Sequence, residues 1–427
     1  MDWKKIDREM IRKHRYTLLL IILISPILFI NINHHHDWGG DFAQYLDQSK
    51  DFLNNTNPEE VEIIDLNNFS PPQRSDGFSL MLSPIFYFFG DNINYFISFI
   101  SLIVFILGIV LFSVYNQLYS SITTPLISLL CVITLLYSHR FLMLKMEIMP
   151  EFPLMLLLYS IFILYKKKSN IYSFLLLLLL TDLLISVKNI GICLFLALLI
   201  HYSITLFKEF SSTRLIKLIS LFIVPLLIDF LIKMIMYDKV YVQNVTWYGS
   251  YFDFNEFTTT LSSNLFYYLT TLKVFFEQEI WGWANLIIKN SCLVLFLIGF
   301  VNKLRKKIDL IDTFFILYIG VLLCFSLQFA GMRYLIPVMP IVLIYILNGL
   351  SSITSYLHLN KNYFAILFLL VILSSNYINT KNIIINGDKN IFGPQNKEAV
   401  DAFEFIKNKT PKNTAIAFSK PWVLHYY

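Results

Sequence analysis

Asp37 and Asp41 stand four residues apart in the stretch NHHHDWGGDFAQYLDQSKDF, Asn33 to Phe52, with Gly39 and Gly40 between them and His34, His35 and His36 just before. A carboxylate at the start of a helix is held at a fixed, exposed position, where it can cap the helix and also take part in chemistry. Asp41 precedes the pattern Phe42, Tyr45, Leu46, Ser49, Phe52, Leu53, which recurs at i, i+3, i+4 and i+7 and marks an amphipathic helix. Gln44 follows Asp41 by three residues, the spacing of a capping box. The two glycines permit a tight backbone and the close approach of a ligand. Adjacent histidines do not converge readily on one ion, because helical histidine ligands favour i, i+4 spacing. No metal site is assigned to His34–His36, and an interfacial or phosphate-contacting role suits them better.

The elements that must position these groups follow from composition. The chain has 427 residues, 56% of them hydrophobic, 16% aromatic and 15% charged, where soluble domains run near 25% charged. This is the make-up of an all-α polytopic membrane protein. A bilayer core takes about 20 mostly apolar helical residues, and eleven segments qualify or nearly so: 16–32, 94–115, 122–138, 150–165, 170–187, 189–207, 215–236, 284–301, 309–328, 334–350 and 361–377. The first lacks a small-residue cleavage site after it, so it reads as a span and not as a signal peptide. Cys131, Cys193, Cys292 and Cys324 all fall inside apolar runs and read as packing residues.

Lys and Arg set the orientation, since cytoplasmic loops carry their excess. Lys4, Lys5, Arg8, Arg12, Lys13 and Arg15, and the loops at 166–168, 208–217 and 303–307, all fall on one side of the eleven-span arrangement. The long loops 33–93 and 237–283 hold only Lys50, Arg74, Lys239 and Lys273. The expected N-terminus is therefore cytoplasmic and the C-terminus extracytoplasmic. The cytoplasmic loops are too short for a nucleotide-binding domain, and neither G-x-x-x-x-G-K-[ST] nor a strand-borne G-x-G-x-x-G occurs, which argues against ATP and nucleotide sugars as direct substrates. The polar equipment faces outward.

Between Pro71 and Asn92, PPQRSDGFSLMLSPIFYFFGDN reads as a half-inserted or re-entrant helix, tolerated where protein or a cavity shields its backbone. The loop 237–283, with NVTWYGSYFDF and FFEQEIWGW, is aromatic enough to suit carbohydrate, although an aromatic belt sits at any membrane interface. The chain divides into a transmembrane domain, 1–377, with amphipathic helices on its outer face, and a short outer tail, 378–427. That tail reads as α/β-like, with a helix at 397–408, a turn at Thr410-Pro411 and a strand at 415–418.

An aspartate in the first outer loop, FAQYLDQSKDF after it, and a Pro-Pro segment leading into FSLMLSPIFYFFG make one group of features. MEIMPEFPLMLLLYSIFILY, VKNIGICLFLALL and MRYLIPVMPIVLIYILNGL follow in order. Together, from Asp37 to Leu350, they resemble the membrane glycosyltransferases of the GT-C class. The particular likeness is to bacterial protein-mannosyltransferase-like (family 39-like) and lipid A arabinosyltransferase-like enzymes. The resemblance implies a polyprenyl-phosphate sugar as donor, an outer-loop carboxylate as general base, and inversion at the anomeric carbon. Asp41 matches the acidic position best, with Asp37 in reserve, and Glu151, before Phe152-Pro153, matches an acidic position close to the cavity. The leaving phosphate calls for cations, and Arg74, Arg140, Lys145, Lys188 and Arg333 are the candidates near outer span ends. Each also has an ordinary reading, snorkelling to the interface. Lys188 and Arg333 stand out because long apolar runs flank them, where a charge is costly and often functional. Glu147 reads as a solvated loop acid or as part of the same region, and Asp182 and Asp229 as buried, paired or facing the bundle interior.

The expected partners are the lipid-linked donor, membrane lipids and an envelope lipid, glycan or protein acceptor, with no nucleic acid. The residues name no cofactor and leave the need for a divalent cation open. The rival readings are a secondary transporter or flippase of lipid-linked glycans and an envelope polysaccharide polymerase or ligase. A transporter calls for paired broken helices and repeated halves, and a polymerase for key residues in a long late outer loop. The early position of Asp41 favours the transferase.

Overall fold

The computed structural model describes residues 15–32, 41–54, 76–167, 171–236, 254–276, 282–324, 331–386 and 393–426, apart from 412, 413, 415, 417, 419 and 420. Asp37, Arg74, His34–His36, Gly39, Gly40 and the side chain of Asp229 lie outside the described residues. The chain runs through α1 (Arg15–Leu28), α2 (Asp41–Asn54), α3 (Asp76–Phe89), α4 (Ile93–Leu118), α5 (Pro125–Leu136), α6 (His139–Lys145), α7 (Glu151–Lys166), α8 (Ile171–Val187) and α9 (Ile192–Lys208). It continues through α10 (Ser212–Met236), α11 (Phe254–Phe275), α12 (Gly282–Lys306), α13 (Leu310–Cys324), α14 (Met339–Tyr356), α15 (Lys361–Asn386), α16 (Lys397–Lys409) and α17 (Pro421–Tyr426).

Each of the eleven expected segments falls on a helix. Among the described residues, five helices are individually long and apolar enough to cross a membrane, including Ile93–Leu118, Met332–Tyr356 and Lys361–Asn386, so the chain is a multi-pass membrane protein. The segment expected as one span at 122–138 is shorter and is followed by α6, bent from α5 by 58°. The bend has a local cause: Ser138 adopts an extended conformation and its Oγ accepts the Phe141 N–H, starting a new helix.

The polar termini sort to two ends. At one end lie Glu151 at the start of α7, Lys188 after α8, and Arg333 before α14. At the other, Lys166 donates to the Gln117 carbonyl, Lys361 Nζ to the Ser121 carbonyl (3.1 Å), and Lys303 binds Asp309 (2.8 Å) and the buried Asp312 (3.2 Å). Asp312 is in turn held by the Tyr345 hydroxyl at 2.8 Å, which locks α12, α13 and α14 together at that end.

Between the ends, α12 and α14 approach backbone to backbone. A Cβ built on Gly299 would sit 1.7 Å from the Tyr345 carbonyl, and one on Gly349 would sit 2.1 Å from the Leu295 carbonyl. Asn348 Nδ2 donates to the Gly299 carbonyl at 2.8 Å across the same seam. Membrane helices lack a hydrophobic drive to associate, and small residues allow the close van der Waals approach that replaces it.

Two regions differ from the sequence expectation. The loop 237–283 contains a 22-residue helix, α11, against α12 and α13, tied by Asn264 Nδ2 to the Leu323 carbonyl (2.9 Å). In the tail, α16 forms as expected, capped by Asn396 Oδ1 on the Glu398 N–H (3.0 Å). The strand at 415–418 is not seen: Ile416 and Phe418, its described residues, are not in a strand, and no described strand is there to pair with them. The tail instead folds back through α17, whose Tyr426 ring lies 6.3 Å from Phe42 and 4.4 Å from Lys50 Nζ, against α2. Cys131, Cys193 and Cys292 are buried as packing residues, while Cys324 is exposed.

Candidate active site

The turn leading into α14 is built from the sequence Arg333-Tyr334-Leu335-Ile336-Pro337-Val338-Met339-Pro340. It winds as two 3-10 turns, Met332–Tyr334 and Ile336–Val338, in which a carbonyl pairs with the N–H three residues on. Pro337 and Pro340 have no N–H, so the carbonyls of Tyr334 and Pro337 lose that donor. Buried tyrosines supply it: the Tyr318 hydroxyl donates to the Tyr334 carbonyl at 2.7 Å, and Tyr159 to Pro337 at 2.8 Å. Tyr115 adds a third bond, to the Pro340 carbonyl at 3.2 Å. The backbone that carries Arg333 is thus pinned from α13, α7 and α4.

Arg333 reaches across to α2. Its Nη1 lies 2.5 Å from Asp41 Oδ2, an ion pair between residues 292 positions apart, and its Nη2 donates to the Tyr334 hydroxyl at 3.3 Å. A second pair stands beside it: Lys188 Nζ binds Glu151 Oε1 at 2.6 Å. Both cations rest against one ring, Tyr334, with Lys188 Nζ 4.6 Å and Arg333 Cζ 5.1 Å from its centroid. The result is a compact set of two carboxylates, an ammonium, a guanidinium and a tyrosine.

The two pairs differ in burial. Glu151 is 1% exposed and its Oε2 has no hydrogen-bond partner, whereas the side chains of Asp41 and Arg333 are 19% and 32% exposed. Removing one member of a buried ion pair leaves an uncompensated charge, which costs about 3–5 kcal/mol. Lys188→Met is therefore expected to lower thermal stability sharply, and adding Glu151→Gln to recover much of it. A melting series of the single and double variants in detergent checks this.

Asp41 is placed by α2 and α3. α2 begins at Asp41 itself, one residue earlier than the pattern suggested, and the Asp41 carboxylate is turned to Arg333. Gln48 Nε2 donates to Asp76 Oδ1 (2.5 Å), Ser49 Oγ to the Ser79 carbonyl (2.8 Å), and the Tyr45 and Phe78 rings meet edge to face at 4.9 Å. α3 is then keyed to α8 at Gly77, where a Cβ would meet the Ser186 carbonyl carbon at 2.6 Å and the Val187 nitrogen at 2.7 Å. Lys188 is the next residue, so this contact sets the Asp41 helix against the Lys188 turn.

Of the residues singled out in the sequence, Asp41, Glu151, Lys188 and Arg333 come together. Lys145 goes elsewhere: it is 1% exposed and its ammonium donates to the Ile30 carbonyl, fastening α6 to the end of α1. Arg140 is half-buried on α6, and Glu147 and Asp182 are half-buried elsewhere. Tyr334, Tyr318 and Tyr159 were not foreseen, although prolines at 337 and 340 were the available signal. Among the described residues no cluster of three His, Cys, Asp or Glu side chains could hold a metal ion.

α2 holds a further carboxylate. Asp47 Oδ2 is buried without a hydrogen-bond partner, and burial pushes the acid up from 3.8 to about 7, with Lys50 opposing and Asp51 adding to the rise. Its pKa is higher folded than unfolded, so the folded state holds the proton more tightly. Stability then falls as pH rises from about 4 to about 7, and the loss is complete above that. Asp47→Asn is expected to raise the melting temperature at about pH 8 and to change it little at about pH 4.

No family model and no curated protein matches the chain. Solved structures do. ArnT from Cupriavidus metallidurans bound to undecaprenyl phosphate superposes with a TM-score of 0.55 at 12% identity, over 96% of this chain and 85% of that one. The apo form of ArnT from the same organism gives 0.54 at 11% identity, over 97% and 85%. The chain has the fold of ArnT, which is the fold that its resemblance to GT-C, lipid A arabinosyltransferase-like enzymes implies.

Proposed function

We propose that this protein is a glycosyltransferase that moves a sugar from a polyprenyl-phosphate donor to an envelope lipid, glycan or protein acceptor at the outer face of the cytoplasmic membrane. The observation that carries the reading is the meeting of Asp41 with Arg333, and of Glu151 with Lys188, around Tyr334 at one end of the bundle. A phosphate leaving group needs fixed cations, and an acceptor hydroxyl needs a base within hydrogen-bond reach. ArnT, which shares the fold, has been captured with undecaprenyl phosphate. That lipid phosphate is the chemistry which Arg333 and Lys188 suit.

In the reaction, the acceptor oxygen forms a bond to the anomeric carbon as the bond from that carbon to the phosphate oxygen breaks. The electron pair leaves on the phosphate, whose charge Arg333 and Lys188 neutralise. The acceptor hydroxyl proton passes to Asp41. Attack opposite the leaving group inverts the anomeric centre. Glu151, buried and bound to Lys188, keeps that ammonium in place.

The basic residues support this sidedness: Lys166, Lys303 and Lys361 lie at the end opposite Asp41, which suits a cytoplasmic end. The experiment is sugar transfer in sealed membrane vesicles of both orientations, with an undecaprenyl-phosphate sugar supplied from outside. Right-side-out vesicles should transfer and inverted ones should not until permeabilised. Transfer only in inverted vesicles, or transfer from a nucleotide sugar without lipid carrier, would refute the proposal.

A further inference from the structure

Both cations of the site hold acids. Arg333 is bound by Asp41 at 2.5 Å and Lys188 by Glu151 at 2.6 Å. The pairs are not equivalent, because Glu151 is 1% exposed and cannot leave for water, whereas Asp41 and Arg333 keep 19% and 32% of their side-chain surface open. One pair is fixed and the other is exchangeable.

We infer that Asp41 is a latch on Arg333 which the donor phosphate displaces, so that donor binding is what frees the base. The inference rests on the donor reading proposed above. Arg333 is held in place by its own bond to Tyr334 and by the pinned turn beneath it, so it does not follow a departing partner. A phosphate seeks the forked face of a guanidinium, and Nη1 of that fork is the atom which Asp41 occupies. Two anions side by side on one cation repel. While Asp41 is turned to Arg333, the oxygen in that bond is unavailable to an acceptor proton. The donor therefore binds first, and an acceptor that arrives alone meets a base whose Oδ2 is held by Arg333.

The latch makes a prediction that a simple catalytic role does not. Asp41→Asn, although it removes the base, should bind undecaprenyl phosphate more tightly, by about 3- to 10-fold. The gain should vanish in the Arg333→Gln background. Equilibrium titration of the purified full chain with undecaprenyl phosphate in detergent, for wild type, both single variants and the double variant, reads this. Inorganic phosphate is titrated in parallel to separate the lipid-borne phosphate from a free anion. Unchanged or weaker binding by Asp41→Asn would overturn the latch, as would a gain of equal size without Arg333, which would reflect net charge alone. If wild type binds the carrier and Arg333→Gln binds it equally well, the donor site itself is misplaced and the latch falls with it. If wild type does not bind the carrier at all, the donor reading fails, and that outcome is distinct from a failed latch.

Discussion

Replacing Asp41 with asparagine is expected to lower the rate of sugar transfer by about a hundred- to ten-thousandfold while the protein remains folded. The substitution keeps shape and a hydrogen-bonding oxygen for Arg333, so α2 has no reason to shift, but it removes the site that accepts the acceptor's proton. Carrier binding would persist, because the cations remain. Initial transfer rates compared with melting curves of the same preparations separate the two effects. A fall of only a few-fold would move the role of base to another carboxylate, with Asp37 the next to be replaced.

The largest expected structural effect lies away from the site. At Gly299 an added Cβ would lie 1.7 Å from the Tyr345 carbonyl and 2.6 Å from the Gly349 nitrogen. These are backbone atoms of a facing helix and cannot turn aside as a side-chain tip would. Gly299→Ala must therefore force α12 and α14 apart, breaking the Asn348 bond to the Gly299 carbonyl as it does so. The expected cost is about 3 kcal/mol or more, the range for overpacking with a lost buried bond. Gly320 on α13 is the control. Nothing lies within 4 Å of a Cβ there, so the same substitution should be neutral or slightly stabilising. Melting temperature and monodisperse yield in detergent distinguish the two.

Much of this architecture is legible in the sequence because long apolar runs have few ways to fold in a membrane. Each of the eleven runs overlaps a described helix, and five of those helices are individually long and apolar enough to cross a membrane. The four charges that meet at Tyr334 were also visible singly, since Lys188 and Arg333 interrupt apolar sequence and Asp41 and Glu151 precede it. Their pairing was not visible. It depends on how α3 seats against α8 at Gly77 and on how the turn before α14 is pinned, and both are contacts between residues far apart in the chain.

Lys145 shows the opposite case. By type and position it matches Lys188, but the end of α1 offers it the Ile30 carbonyl, and that neighbour decides its role. The helix α11 was hidden by composition, because its five threonines, two serines and two asparagines lie between the aromatic stretches that made 237–283 read as a loop. The docking of α17 on α2 was hidden by distance: Tyr426 and Phe42 lie at opposite ends of the chain.

The claim that these parts form a lipid-dependent transferase is tested most directly by one measurement. Purified protein is given a panel of undecaprenyl-phosphate sugars with envelope acceptors present, and released undecaprenyl phosphate is quantified for wild type and for Asp41→Asn. The account predicts release that depends on the sugar attached, and its near-complete loss in the folded variant. Absence of release by wild type from every donor, or equal release by both proteins, would contradict it.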